Sequence, residues 1–362
     1  VSVWVDQFDD TVSAMCETQI EQYLASQQAE HALSGCVSVT CGVDVNVFSQ
    51  PFGLADREAK APITSKTRFR IASVTKQFTA YAVLKTIENL GSSFRGLETK
   101  LVEFYPGFGG KLRGRGDNFR GADEINMQHL LQHTSGLVNY SSLPAFGEWM
   151  QSDIGLDDLI GELYDEPLAF EPGERFQYGN TGYLLLGRIL EKLHGKPLDA
   201  VYRELIFEPA GMTDTGLDVA AVMPEGHARG YQLVDGAIQD VGEMNIRTFY
   251  AAGGLYSTIE DLDRWCKQFY SDGFLSAGIR EQLYGNIIET GSHYRSSFGL
   301  VSETRNGRDI YYIGGGIPGF SSICMYSPAD EVGVNVLSNF TYHQLDPLAF
   351  GLIEVVGEEL KR

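Results

Sequence analysis

Positive charge is scarce in this 362-residue chain. Lys and Arg total 28 against 48 Asp and Glu, a formal charge of −20. So acidic a chain repels phosphate backbones and anionic bilayers, which argues against nucleic acid or membrane as its partner. Solubility is the simple use for that charge. Cysteine is also scarce. Cys16, Cys36, Cys41, Cys266 and Cys324 are odd in number and irregular in spacing, so they form neither a disulfide framework nor a zinc pattern. Cys36 and Cys41 fall close together on one strand or hairpin; buried thiols are the reading taken there, with a bridge left open. The seven histidines are scattered and no His-x-x-x-His helix pair, His129–His133 included, is read as a metal site, so no metal and no cofactor is expected. No apolar run approaches the ~20 residues of a membrane-spanning helix. Internal repeats and low-complexity segments are absent. No signal peptide is visible and the chain opens on Val1, which leaves the compartment open.

What is present is enough apolar residue, 43% of the chain, for one large domain or two intimately packed ones. Apolar residues at helical spacing predict a helix over 6–27. Val37, Val39, Cys41, Val43, Val45 and Val47 then alternate with small polar residues, which predicts a strand or strand pair with its turn near Gly42 to Asp44. A helix over 74–89 is apolar on most sides and so belongs in a core, closed by Gly91. Gly107 to Gly121, rich in Gly, Arg and Lys, reads as a surface loop. Helices are expected at 126–133, 156–165, 181–194, 197–206 and 258–270. Strands are expected at Asp309 to Ile313, Ser321 to Met325 and Val332 to Leu337, and a closing helix at Leu345 to Leu360. The order predicts an α+β fold: an antiparallel sheet built from both chain ends, flanked by the N- and C-terminal helices, with an inserted, mostly helical region. Residues 1–62 and 250–362 would form the sheet region and 63–249 the helical one, with the active site between them.

Three stretches carry chemistry. In Ser73-Val74-Thr75-Lys76 the serine opens the apolar helix and the lysine follows three residues later, on the same helix face. A hydroxyl needs a neighbouring base to become a nucleophile, and a desolvated lysine can serve. In Tyr178-Gly179-Asn180 a tyrosine and an asparagine precede the helix at Thr181. Asn180 is a candidate N-cap, and Tyr178 beside a lysine is a candidate acid–base group. In Ile313-Gly314-Gly315-Gly316 three glycines after a strand let backbone approach a partner closely, with Gly316 N–H a candidate oxyanion donor beside Ser73 N–H. His133 invites a Ser-His-Asp triad. Arg70, three residues before Ser73, reads as one half of a structural ion pair.

Together these stretches resemble the serine β-lactamase-like and penicillin-binding-protein-like superfamily, nearest its class C branch, which also holds carboxylesterases, D-aminopeptidases, D-amino-acid amidases and DD-peptidases. Ser73 to Lys76 matches its Ser-x-x-Lys motif and Tyr178 to Asn180 its Tyr-x-Asn motif. Leu130 to Leu137, Pro172-Gly173-Glu174, Glu208 to Thr215, Ala252 to Ser257, Pro318-Gly319-Phe320 and Leu337-Ser338-Asn339 agree as well. The resemblance implies a β-lactamase/transpeptidase-like fold with Ser73, Lys76 and Tyr178 catalytic. Asn180, Ile313, Gly315 and Gly316 would contact substrate, and His133 would be structural. The third motif departs from the pattern: Ile313 stands where the family usually carries Lys or His, and it offers no cation to a substrate carboxylate. A serine hydrolase forming an acyl-enzyme on Ser73, acting as an esterase or amidase on a small ester, amide or peptide, is therefore expected first. A D-amino-acid peptidase, DD-peptidase or β-lactamase is the alternative, and a catalytically idle binding protein the third reading. Oligomeric state is left open.

Overall fold

A computed structural model describes residues 10–28, 34–42, 45–108, 121–218, 225–270, 274–341 and 344–360. Helix α1 (Asp10–Gln28) leads into strands β1 (Gly35–Cys41) and β2 (Val45–Phe52). Helix α2 (Thr75–Leu90) follows, then α3 (Thr181–His194) and α4 (Ile259–Tyr270). Six more strands come next: β3 (Ile288–Glu289), β4 (Arg295–Ser296), β5 (Val301–Arg305), β6 (Arg308–Ile317), β7 (Phe320–Ser327) and β8 (Val332–Ser338). Helix α5 (Asp346–Glu359) follows them. Most of the expected loop at 107–121, the first residues of the expected N-terminal helix and part of the turn after Gly42 lie outside the described residues.

One eight-stranded sheet runs β3-β4-β5-β6-β7-β8-β1-β2, and every neighbouring pair is antiparallel. The N-terminal hairpin joins the C-terminal meander in a register from Gly35↔Ser338 to Cys41↔Val332. Strand alternation then sorts side chains to two faces. Val37, Val39, Cys41, Val334 and Val336 pack with Ile20 of α1 and Leu352, Ile353 and Val356 of α5. Cys36, Ile313, Cys324 and Leu337 face the other way, into the larger core with α2, α3 and α4. Cys36 and Cys41 share a strand but point to opposite faces, and all five cysteines are free and buried. Strands β3 to β5 answer to no expected element, because they are short and polar. Strand β6 runs four residues beyond its expected end, through the three glycines, because Cys324 to Phe320 of β7 pair with it throughout.

Helix α2 is buried along most of its length, including polar Thr75, Lys76, Gln77 and Thr79. Trp265 of α4 stacks on its Phe78, with centroids 4.2 Å apart, and its indole N–H donates to Gln77 Oε1 at 3.0 Å. Below Trp265, α4 holds Asp263, which accepts from Asn46 and Asn335 side-chain amides at 3.0 and 2.8 Å and from Ser38 Oγ. Burial pushes its carboxyl up to about 6 despite those donors. Trp265→Ala removes a fully buried indole that joins α2 to α4. The expected cost is ~3–5 kcal/mol, read as a lower urea midpoint; an unchanged midpoint would contradict this packing.

Candidate active site

Ser73 sits at a strained entry to α2. Phe69 and Arg70 pair with Ser257 and Tyr256, and Arg70 Nε bonds Asp218 at 2.8 Å in a buried ion pair. Two residues later Ala72 takes φ +47°, a left-handed conformation that non-glycine residues rarely adopt. A single 3-10 turn, Ala72–Val74, then feeds α2. The kink leaves Ser73 partly exposed, while its N–H lies in a first turn, where no preceding helical carbonyl is available.

Lys76 is fully buried directly behind it. Its Nζ donates to Ser73 Oγ at 3.1 Å, to Asn180 Oδ1 at 2.9 Å and to the Ala252 carbonyl at 2.7 Å. An ammonium has three donors, so this arrangement uses all of them. Burial pushes the lysine below its ordinary value, and the neighbouring Tyr178 pushes back. Losing one proton has a directed consequence. Asn180 Oδ1 and the Ala252 carbonyl can only accept, so they keep the two remaining N–H bonds. The new lone pair then faces Ser73 Oγ. Tyr178, half-exposed, donates its hydroxyl to the same oxygen at 2.8 Å.

The loop carrying Tyr178 and Asn180 is held from beneath. His133, at φ +59°, accepts from Gly179 N–H through Nδ1 at 3.3 Å, and its ring lies 4.7 Å from that of Tyr178. Burial and the Lys76 charge push its imidazole down to about 3. It is a neutral positioning residue and touches neither Ser73 nor Lys76 by hydrogen bond. Asn180 occupies the N-cap position of α3, yet its side chain caps nothing. It is spent on Lys76 and on Ser141 Oγ, at 3.0 Å, while its N–H donates to Asn139 Oδ1 at 2.9 Å. Asn139, Ser141 and the Ala252 carbonyl were not singled out as individual groups from the sequence. Asn139 and Ser141 sit at no diagnostic spacing, and a backbone carbonyl carries no residue signature.

Strand β6 forms the facing wall. Its two-residue turns close on Arg305↔Arg308 and on Ile317↔Phe320. Antiparallel residues bond alternately to either side. Counting from either turn, residues 308, 310 and 312 bond toward β5, and 313, 315 and 317 toward β7. Pairing with β5 stops at Val301↔Tyr312. Gly314 and Gly316 therefore turn their N–H groups to the side that β5 has vacated. Gly315 lets this strand reach Ser73: a Cβ there would stand 2.5 Å from Ile71 O and 3.0 Å from Ser73 N. Ser322 Oγ ties the same carbonyl of Ile71 at 2.6 Å. A cavity of about 240 Å³ is lined by Lys76, Tyr178, His133, Ile313 and Gly314, among others. A larger one, about 580 Å³, opens beside Arg70, but it is the smaller that is lined by Lys76 and Tyr178, the two side chains bonded to Ser73 Oγ.

The Beta-lactamase family profile matches residues 20–358. The chain is 29% identical over 312 residues to penicillin-binding protein 4* of Bacillus subtilis (strain 168), covering 81% of this chain and 65% of that protein. It is 27% identical over 313 residues to esterase EstB of Burkholderia gladioli, covering 75% and 76%. The chain thus spans less than two thirds of the first relative's length. Among solved structures, D-amino acid amidase from Ochrobactrum anthropi SV3 superposes with TM-score 0.79 at 24% identity, covering 96% of this chain and 99% of that one. EstCE1, described as a hydrolase with promiscuous acyltransferase activity, gives 0.79 at 20%, covering 96% and 100%. At such identities these structures speak to the fold alone.

Two outcomes follow from the geometry. Gly315→Ala should push β6 off Ser73, lower the rate of Ser73 labelling by a fluorophosphonate at least ~10-fold, and lower the urea midpoint as well, because backbone must move to admit the methyl; an unaffected labelling rate would contradict the close approach. His133 has a folded value of about 3 against an ordinary 6.5. The unfolded chain therefore binds more protons between those limits. Its contribution is fully present above pH 6.5 and is lost as pH falls toward 3, with a slope of at most about 1.4 kcal/mol per pH unit. His133→Gln should flatten that acid-side slope in pH-dependent urea unfolding; identical slopes would show that His133 is not held neutral.

Proposed function

The chain belongs to the Beta-lactamase family, and from that premise we propose that it is a serine hydrolase working through an acyl-enzyme on Ser73, an esterase or amidase on small acyl substrates. The observation that carries the reading is the convergence of Lys76 Nζ and Tyr178 Oη on Ser73 Oγ, at 3.1 and 2.8 Å. In the proposed reaction neutral Lys76 takes the Ser73 proton as Oγ attacks an acyl carbonyl. The resulting oxyanion lies between the N–H groups of Ser73 and Gly316. Lys76 and Tyr178 return a proton to the leaving alcohol or amine. Water activated by the same pair then cleaves the ester to Ser73. Asn180 holds Lys76 and borders the substrate, and Ile313, Gly315 and Gly316 form the wall against which it lies. The helical region of residues 63–249 supplies the nucleophile and acid–base groups, and the sheet region of residues 1–62 and 250–362 supplies that wall.

Ile313 supports ester or neutral amide substrates over carboxylate-bearing ones, because it is buried, apolar and lines the cavity beside Lys76. The curated relatives include both an esterase and a penicillin-binding protein. A D-amino-acid peptidase, DD-peptidase or β-lactamase is therefore the second reading.

Hydrolysis of p-nitrophenyl butyrate separates these. Wild type should turn over and Ser73→Ala should lose measurable activity. Tyr178→Phe should fall ~10²–10⁴-fold. Turnover surviving in Ser73→Ala would contradict the mechanism, and a stable benzylpenicillin adduct on Ser73 without ester turnover would favour the second reading. The pH profile adds a signed test. Activity needs the free amine, so kcat/KM should rise with pH through the lysine's depressed value and level off below 10.5. A profile still rising in proportion to hydroxide at that pH would contradict a lysine base.

A further inference from the structure

The cavity that holds Lys76 and Tyr178 is also lined by Asp346, the first residue of α5. Its Oδ1 lies 3.5 Å from where a Cβ on Gly314 would stand. Gly314 adjoins Ile313 but turns its Cβ position to the opposite face, the α5 side, so the carboxylate borders the cavity where pairing with β5 has stopped, not on the face of Ile313. Among the described residues no ion pair or hydrogen bond takes up that carboxylate. The charged neighbours acting on it are Arg305 and Glu303. Arg305 is engaged elsewhere: its Nε bonds Glu303 at 2.7 Å and its guanidinium lies 3.5 Å from the centre of the Phe350 ring. The Lys76 ammonium is held by Ser73, Asn180 and Ala252. Arg305 and Glu303 answer each other and neither lines the cavity, so Asp346 is the charge that this end presents, and it is exposed enough to meet a ligand.

We propose that Asp346 makes the site select substrates bearing an ammonium group and disfavour those bearing a carboxylate. The inference rests on the acyl-enzyme reading for its reaction, but not for its binding. A cation entering the cavity meets an unpaired carboxylate with little reorganisation, whereas a substrate carboxylate there is repelled by Asp346 and finds no cation on Ile313. The ammonium could be the α-amino group of an amino-acid amide, in the acyl part, or a quaternary ammonium in the leaving alcohol of an ester. The chemistry recognised is the same.

Calorimetric titration of Ser73→Ala tests this without turnover. The ligands are phenylalaninamide against neutral 3-phenylpropanamide, and butyrylcholine against neutral 3,3-dimethylbutyl butyrate. At least one cation should bind ~5-fold or more tighter than its isostere. The pair that shows the preference identifies where the ammonium sits. Adding Asp346→Asn should abolish the preference, Asp346→Glu should keep it, and high salt should weaken it. Equal binding of cation and isostere, no measurable binding of either cation, or a preference that survives Asp346→Asn would overturn the proposal. Failure of the acyl-enzyme reading would appear separately, in the p-nitrophenyl butyrate assay.

Discussion

An amine buried with three fixed partners is the constraint on which the site depends. Taking an ammonium out of water costs several kcal/mol, and the protein offsets that cost with Ser73 Oγ, Asn180 Oδ1 and the Ala252 carbonyl. Those three groups come from the start of α2, the loop before α3 and the turn before the strand that pairs with Phe69–Arg70. Two of the three are in turn fixed by something else. Asn180 is gripped by Asn139 and Ser141, Gly179 by His133, and the Ala72 kink by the Arg70–Asp218 pair that precedes it. Two of the lysine's partners can only accept, so its protonation state and its direction of action are coupled. The same geometry that tolerates the charged form aims the neutral form at the serine.

The sheet contributes through an omission. A run of three glycines weakens a strand, and the register of β7 holds this one in place nonetheless. At Gly315 the gain is contact distance, since any side chain would occupy the space of Ile71 O and Ser73 N. At Gly314 and Gly316 it is a pair of backbone N–H groups on an edge that β5 leaves open. The polar end of α5 meets that edge at Asp346, so the terminal helix does more than cover the sheet.

Much of this was legible in the sequence, and for physical reasons. The Ser73–Lys76 spacing is a helix-face relation, and Lys76 does reach Ser73. The helix at 181–194 was readable because its apolar stripe ends at Gly195, which takes the left-handed cap. The alternation at 36–48 placed β1 and β2, and the resemblance of the motifs anticipated the family. Other features were not legible. Asn180 looked like an N-cap because its residue type and position suit one, but tertiary contact with Lys76 won. The Ala252 carbonyl has no side-chain signature. Strands β3 to β5 are too short and polar for periodicity to register. Asp346 meets Gly314 only because α5 packs across the sheet, a relation between residues 32 positions apart that no local pattern encodes.

The central claim is that Lys76 reaches its neutral form easily and then faces Ser73. Its most direct test is the ¹⁵Nζ resonance of Lys76 in ¹⁵N-lysine-labelled protein, assigned by its loss in Lys76→Ala and followed through a pH titration. The account predicts a midpoint below the ordinary 10.5 and a shift of that midpoint in Ser73→Ala, because the lone pair's partner is gone. A Lys76 that stays protonated up to or beyond 10.5 would contradict it, and would leave Tyr178 to activate the serine alone.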